Sequence, residues 1–336
     1  MALTEEGIIE VPGLLSRWVR LGSGAKAHYM TAGETGPAVV LLHGGIIGSS
    51  GTAGWRFMAP FLGANGFRVY CPDMPAFGLT EDPDDVYAFG EGGHADFVHD
   101  FVNALCIDKF HISGNSMGCS NTVNYVTAHP ERILSYALIA GGIGDLVPMA
   151  EMFAADPRPM DARPNIMQFD GTPESMRTMM EAIIYRGGAI SDDLITMRTS
   201  AANHHREAYT KRMQMMMADN GRDGAVPDVN KAARMSTKGR FDKMTIPGIY
   251  LYGRQDVLIS HEAGYLQEDA LPNVQFFYPD ETGHQGQTDQ PDLFNQVFLE
   301  FFRDGKVSWE TAQAAGVSDR RPPNPDLVAV PAGVTA

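Results

Sequence analysis

Residues Gly114-Asn115-Ser116-Met117-Gly118 constrain this chain more than any other stretch of it. Before them, Phe110-His111-Ile112-Ser113 reads as a short buried strand. After them, Cys119 to His129 reads as a helix closed by Pro130. A serine between two glycines at a strand-to-helix junction predicts a sharp, strained turn that lifts the hydroxyl out at the strand's end. Side chains at the flanking positions would collide in so tight a turn. The bare pattern is common by chance; the strand before it and the helix after it make it informative.

The rest of the chain supplies the strands that such a turn needs. Trp18–Leu21 and Ala27–Met30 flank Gly22-Ser23-Gly24 and read as a hairpin. Ala38–Leu42, Phe67–Tyr70, Phe110–Ser113 and Leu134–Ile139 follow, with Gly248–Tyr252 and Val274–Tyr278 much later. The middle runs are mostly apolar, as expected of parallel strands covered on both faces. This order predicts an α/β fold with an eight-stranded, mostly parallel sheet and an antiparallel start.

Between Met149 and Ser236 the strand rhythm stops, and the spacing becomes helical. That stretch holds 13 of the 19 methionines. They read as ordinary helical core or as the adaptable, polarizable lining of an apolar pocket. The expectation is a core over 1–148 and 237–303, a helical, Met-rich cap over 149–236 after the sixth strand, and a C-terminal extension over 304–336. Pro322, Pro323, Pro325 and Pro331 predict that the extension is extended, lying on the surface or on a partner subunit.

A serine hydroxyl is a poor nucleophile until a base takes its proton, and the base needs a third group to fix its tautomer. Where a Gly-x-Ser-x-Gly elbow carries the nucleophile, the chain order is serine, acid, histidine. Asp256 follows the seventh strand in Gly253-Arg254-Gln255-Asp256, and His284 follows the eighth in Thr282-Gly283-His284-Gln285-Gly286. Asp256 as a helix N-cap and His284 as a plain loop histidine are the bland alternatives. Order, spacing and elbow together favour a catalytic set of Ser116, Asp256 and His284. An oxyanion needs two fixed N–H donors. Met117 supplies one, and Gly45, in His43-Gly44-Gly45-Ile46-Ile47-Gly48, supplies the other. Asp73 reads as a turn residue at the end of the fourth strand.

Other patterns carry less. Gly22-Ser23-Gly24-Ala25-Lys26-Ala27 fits G-x-G-x-x-A, but a strand follows it rather than a helix, which disfavours a dinucleotide site. His94 and His99 lie near Asp96 and Asp100, but five residues on a helix turn a side chain roughly 140° away. They read as part of a solvated helix. His204 and His205, being adjacent, point in different directions. No metal and no cofactor are expected.

Net charge is −15, from 41 Asp+Glu against 26 Lys+Arg. Such a surface disfavours nucleic acid and anionic membranes and gives an anionic substrate no long-range steering. Cys71, Cys106 and Cys119 show no paired spacing and read as buried free thiols. The start, Met-Ala-Leu-Thr-Glu-Glu, lacks a basic region and an apolar run, and no stretch approaches the ~18 apolar residues of a membrane span. The expected setting is cytoplasmic, with a small-molecule substrate and a homo-oligomer as an open option.

The elbow belongs to the α/β-hydrolase fold, and the wider set of motifs resembles a narrower group within it. His43-Gly44-Gly45, Gly114-Asn115-Ser116-Met117-Gly118, Gly253-Arg254-Gln255-Asp256 and Gly283-His284 are similar to those of the meta-cleavage product hydrolases of bacterial aromatic-ring degradation. The similarity covers about Ala27 to Ile143 and Thr245 to Phe302. It implies hydrolysis of a C–C bond in a vinylogous 1,5-diketone, through ketonisation of a dienolate and release of a 2-hydroxydienoate. It also implies that Arg198, in Thr196-Met197-Arg198, contacts an aromatic-derived substrate's carboxylate; a surface arginine on a cap helix is the alternative. Gly44, Asn115 and Gln285 complete the candidate substrate contacts. The chain departs from that group at Gln285, where a tryptophan is usual. It departs again after Trp55, where Arg56 and Phe57 stand in place of a nearby asparagine. An esterase or lactonase acting on an aromatic or apolar acyl compound would use the same machinery. A small-molecule receptor on the same fold is the reading from a different class.

Overall fold

Runs of apolar and β-branched residues bounded by glycine, proline and polar turns form the sheet of this protein. The computed structural model describes residues 3–81, 86–87, 90–156, 169–211, 214 and 235–332. The strands are β1 (Leu15–Arg20), β2 (Lys26–Ala32), β3 (Ala38–Leu42), β4 (Arg68–Pro72), β5 (Phe110–Asn115), β6 (Ile133–Ile139), β7 (Gly248–Leu251) and β8 (Gln275–Phe277). They lie in the order β1-β2-β4-β3-β5-β6-β7-β8. β1 and β2 are an antiparallel hairpin, β2 meets β4 antiparallel, and every later pairing is parallel. The eight strands and the antiparallel start are those read from the sequence. All five residues of β3 are buried, as fits a strand covered on both faces.

Helices α1 (Gly51–Trp55), α2 (Met58–Ala64), α3 (Glu91–Ala104) and α4 (Met117–Ala128) belong to the first half of the sheet. After β6 come α5 (Met149–Ala155), α6 (Pro173–Ile183) and α7 (Asp192–His204). Thr172 caps α6 by accepting the Ser175 N–H at 3.2 Å, and Ser191 caps α7 by accepting the Leu194 N–H at 3.2 Å. α6 buries Met176, Met179, Met180 and Ile183, one face at helical spacing. These methionines pack with the hydrophobic core. Met160, Met167, Met213 and Met215-Met216-Met217 lie outside the described residues.

Three local expectations are corrected. The tail is not simply extended. Val307–Ser308 pairs in parallel with Val328–Ala329, a helix runs over Trp309–Ala314, and Val307, Ala312 and Val328 are buried. The Tyr278 N–H donates to the Gly316 carbonyl at 2.7 Å and the Ser318 N–H to that of Phe276 at 3.0 Å, so the tail covers the open edge of β8. His94 is not solvated. It is buried against Asn121 Oδ1 at 3.3 Å, and burial pushes its imidazole down to about 4. Cys106 is exposed, whereas Cys71 and Cys119 are buried.

Asp73 does more than end a turn. Its carboxylate accepts from Gly51 N at 2.6 Å, Leu79 N at 2.9 Å and His28 Nδ1 at 2.7 Å, and Asp73 is 1% exposed. Burial works against ionisation, but the His28 pairing and the N–H donors outweigh it and hold the group below the ordinary carboxylate range. That contribution is fully present above about pH 4 and is lost as pH falls through the lowered folded value. Asp73→Asn must turn an amide N–H toward one of these donors. The expected result is a stability loss of about 2–4 kcal/mol, read from the urea midpoint. A loss below ~0.5 kcal/mol would contradict this role.

Candidate active site

Parallel register brings the candidate residues together. Asn115 pairs with Ile139, Ile139 with Leu251, and Leu251 with Phe277, while Leu42 pairs with Gly114. The loops that leave β3, β5, β7 and β8 therefore open on one edge of the sheet. Those loops carry Gly44 and Gly45, Ser116, Asp256, and His284 respectively.

Ser116 sits at φ 58°, ψ −117°, a left-handed conformation that costs roughly 1–3 kcal/mol for a non-glycine residue. Close packing imposes it. A Cβ on Gly114 would lie 2.0 Å from the Gly118 carbonyl oxygen, and one on Gly118 would lie 2.1 Å from that of Leu42. The Ser116 N–H is held by the Ile139 carbonyl at 2.9 Å. Ser116 and Met117 are half-buried while Asn115 and Gly118 on either side are buried, so the turn presents these two residues outward. Met117 is the first residue of α4, and its N–H has no intrahelical acceptor. Gly45 faces it: a Cβ there would touch Met117 Cβ and Sδ, each at 3.0 Å. The preceding turn is pinned by His43, whose Nδ1–H donates to the Gly44 carbonyl at 2.7 Å while Nε2 accepts from Met74 N at 2.9 Å. Burial lowers the His43 pKa, consistent with this neutral tautomer.

His284 Nδ1 lies 2.7 Å from Asp256 Oδ2, with both side chains at most 1% exposed. The other oxygen, Asp256 Oδ1, accepts from Leu258 N at 2.7 Å and Ile259 N at 3.1 Å, which fixes the carboxylate's rotation. The bland alternative for Asp256 does not hold, since Ser260 caps the helix His261–Ala270. His284 Nε2 is buried and has no hydrogen-bond partner among the described residues. That nitrogen is the one free to exchange a proton.

Two residues that tie these loops were not singled out by sequence reasoning. Gln255 links the acid and histidine loops in both directions. Its N–H donates to the Thr282 carbonyl and its Oε1 accepts the Thr282 N–H, each at 2.9 Å. A Cβ on Gly253 would lie 2.3 Å from the Thr282 oxygen, so glycine is needed for that approach. Asp289 is the second, and nothing in its sequence position five residues after His284 marks it. Asn115, a candidate substrate contact, is 1% exposed and donates from Nδ2 to the His284 carbonyl at 2.9 Å. Its amide N–H faces the protein rather than a ligand. Gln285 is 5% exposed and leads into the short helix Gly286–Asp289.

Arg198 is not a surface arginine. It is 1% exposed, its NH2 group donates to Ser49 Oγ at 3.2 Å, and its Nε has no partner among the described residues. The backbone of α7 lies on the glycine turn: a Cβ on Gly48 would be 2.4 Å from the Arg198 carbonyl oxygen. Arg56 stands close enough to repel it. Burial first, and then Arg56, push Arg198 down to about 9. Arg56 itself is lowered to about 10 by burial, and donates to the carbonyls of Ala53 at 2.7 Å and Ala189 at 3.1 Å. No ion pair to a carboxylate is made by either guanidinium among the described residues. A cavity of about 150 Å³ lies elsewhere, between the N-terminal segment and α7, lined by Glu6, Ser50, Gly78, Met197, Ser200 and His204 among others.

Comparison with known proteins bears out the fold. A family model described as alpha/beta hydrolase fold matches residues 37–174. The chain is 28% identical over 290 residues to the 2-hydroxy-6-oxo-6-(2'-aminophenyl)hexa-2,4-dienoic acid hydrolase of Metapseudomonas resinovorans, covering 85% of this chain and 90% of that protein. It is 28% identical over 289 residues to the 2-hydroxy-6-oxo-6-phenylhexa-2,4-dienoate hydrolase of Burkholderia cepacia, covering 84% and 93%. A solved meta-cleavage product hydrolase from Pseudomonas fluorescens superposes with a TM-score of 0.68 at 22% identity, covering 86% of this chain and 98% of that one, and shares the fold.

Proposed function

We propose, from the α/β-hydrolase fold of this chain and the residues at its sheet edge, that it is a serine hydrolase cleaving a C–C bond in a carboxylate-bearing ring-fission product. Ser116 Oγ adds to the substrate's ketone carbon as His284 Nε2 takes its proton, and Asp256 holds the imidazole in the required tautomer. The negative oxygen that forms is held by the N–H groups of Gly45 and Met117. The C–C bond then breaks. With the substrate in its keto tautomer, the electron pair passes into the conjugated oxo acid as a dienolate, which takes the proton held on His284 Nε2 and leaves as the 2-hydroxydienoate. Water, deprotonated by His284, releases the acyl group from Ser116.

One observation carries the substrate class. Arg198 is a buried cation beside the glycine turn, with an unpartnered Nε and no acidic partner in contact among the described residues. A protein seldom keeps a charge in that state unless a ligand completes it. The partner that fits is a planar carboxylate, which a guanidinium fork takes with two hydrogen bonds. An apolar acyl substrate would leave this cation without purpose.

The purified protein should be offered a chromogenic ring-fission diketone and a p-nitrophenyl ester in parallel. Bleaching of the diketone with kcat/KM at least about a hundred-fold above the ester's is expected. The reverse preference would favour an esterase, and saturable binding without turnover a receptor. Turnover is expected to survive exhaustive EDTA treatment, because nucleophile and oxyanion donors are supplied by the chain itself.

A further inference from the structure

Asp289 is 3% exposed, five residues beyond His284, and pairs with no cation among the described residues; backbone N–H groups surround it instead. Oδ2 accepts from Gly283 N at 2.8 Å and Oδ1 from Arg186 N at 2.7 Å, with the Tyr185 N–H adding to the set. Burial pushes the carboxyl up to about 6, so at neutral pH it is ionised and both oxygens accept. The Arg186 guanidinium pairs with Glu281 Oε2 at 2.6 Å, on the strained turn that leads into the histidine loop.

These contacts join two parts of the molecule that the chain separates by about a hundred residues. The segment after α6 joins it to α7 within the cap region, and residues 281–289 carry the candidate base. His284 itself is bonded across the same seam, its N–H donating to the Ile183 carbonyl at 2.9 Å. A Cβ on Gly283 would lie 2.8 Å from the Ile183 oxygen and 3.0 Å from Tyr185 N, so the approach is as close as backbone permits. With Asn115 holding the His284 carbonyl, the base is fixed on the nucleophile side by the elbow and on the other by the cap.

We propose that Asp289 is a positioning residue. Its carboxylate clamps the end of α6 onto the histidine loop, so that the cap and the imidazole keep one register. The inference rests on the reading of His284 as the general base. A misplacement of about 1 Å at a reacting group costs on the order of a hundred-fold in rate, and binding groups elsewhere in the site would not feel it.

The test is Asp289→Asn, which turns one acceptor oxygen into an N–H facing a backbone donor. The expected result is a fall in kcat of about ten- to a hundred-fold, with KM within about three-fold. The rate at which an organophosphonate labels Ser116 should fall in parallel, and Asp292→Asn on the exposed face nearby should change neither. A well-folded Asp289→Asn enzyme with kcat within two-fold of wild type overturns the proposal. Should that variant not fold, Arg186→Pro deletes one donor while sparing the carboxylate, at a residue whose backbone is extended with a negative φ of −90°, so the ring requires only a modest adjustment. Arg186→Ala keeps the N–H. Loss of kcat in the proline variant alone supports the clamp; equal kcat in the two overturns it. His284→Ala separates the layers: if it kept wild-type kcat, the base assignment would fall and the proposal with it. If His284→Ala is dead and Asp289→Asn is unimpaired, only the clamp is wrong.

Discussion

Replacing Ser116 with alanine is expected to lower kcat at least about a thousand-fold while the protein stays folded and still binds its substrate. The turn is held by what surrounds it: Gly114 and Gly118 packed on backbone, and the Ser116 N–H bonded to Ile139. Alanine keeps the Cβ and the backbone strain at φ 58°, and removes a single half-buried oxygen. Thermal denaturation should move by no more than about 2 °C, and substrate affinity by equilibrium titration should stay within a few-fold. A variant retaining a tenth of wild-type kcat would remove Ser116 from the chemistry. Loss of activity together with loss of the folded state would leave the turn, not the hydroxyl, as the cause.

The second large effect belongs to Arg198. A charge-assisted hydrogen bond to a carboxylate is worth roughly 1.5–3 kcal/mol, so Arg198→Gln should cost about ten- to a hundred-fold in kcat/KM for a carboxylate-bearing diketone. A neutral ester should lose less than about two-fold. Stability should move the other way. The guanidinium is fully buried, pushed down to about 9 by burial and by Arg56, and pairs with no acid among the described residues. Arg198→Met, of similar length and without charge, is expected to raise Tm. A fall in carboxylate turnover with a rise in Tm is the signature of a cation kept for a ligand. Equal losses on both substrates, with a lower Tm, would make Arg198 a structural residue.

The sheet was legible because its signals are local. Each parallel strand is a mostly apolar run of three to seven residues, and most strand ends meet glycine or a polar turn. Loop order along the chain then follows strand order, which is why serine, acid and histidine could be named before their distances were known. The supports of the site were not legible in the same way. Gln255 and Asp289 act through backbone groups, and nothing in their identity marks the Thr282, Gly283 and Arg186 amides as partners. Asn115 looked like a ligand contact because it sits in the elbow, and only the fold turns its amide toward His284. The burial of Arg198 depends on which face α7 presents to the glycine turn, and a helix reading Asp-Asp-Leu-Ile-Thr-Met-Arg-Thr-Ser has only a weakly apolar side to say so. His94 reads as solvated for a related reason: Asp96 and Asp100 mark α3 as polar, but its partner Asn121 comes from α4.

The tail misled through its prolines, yet it has a mechanical consequence for the site. β8 is the last strand of the sheet, and the histidine loop hangs from its end. An edge strand frays before inner strands do, and a loop on a fraying strand cannot keep a proton acceptor still. Here residues 316–318 bond to Phe276 and Tyr278. Arg321 closes over the carbonyls of Glu268, Leu271 and Val274, fastening the helix His261–Ala270 to the same corner. The last described segment of the chain thus works as a splint along one rim, and a chain ending at Phe302 would leave the base anchored to a loose hem.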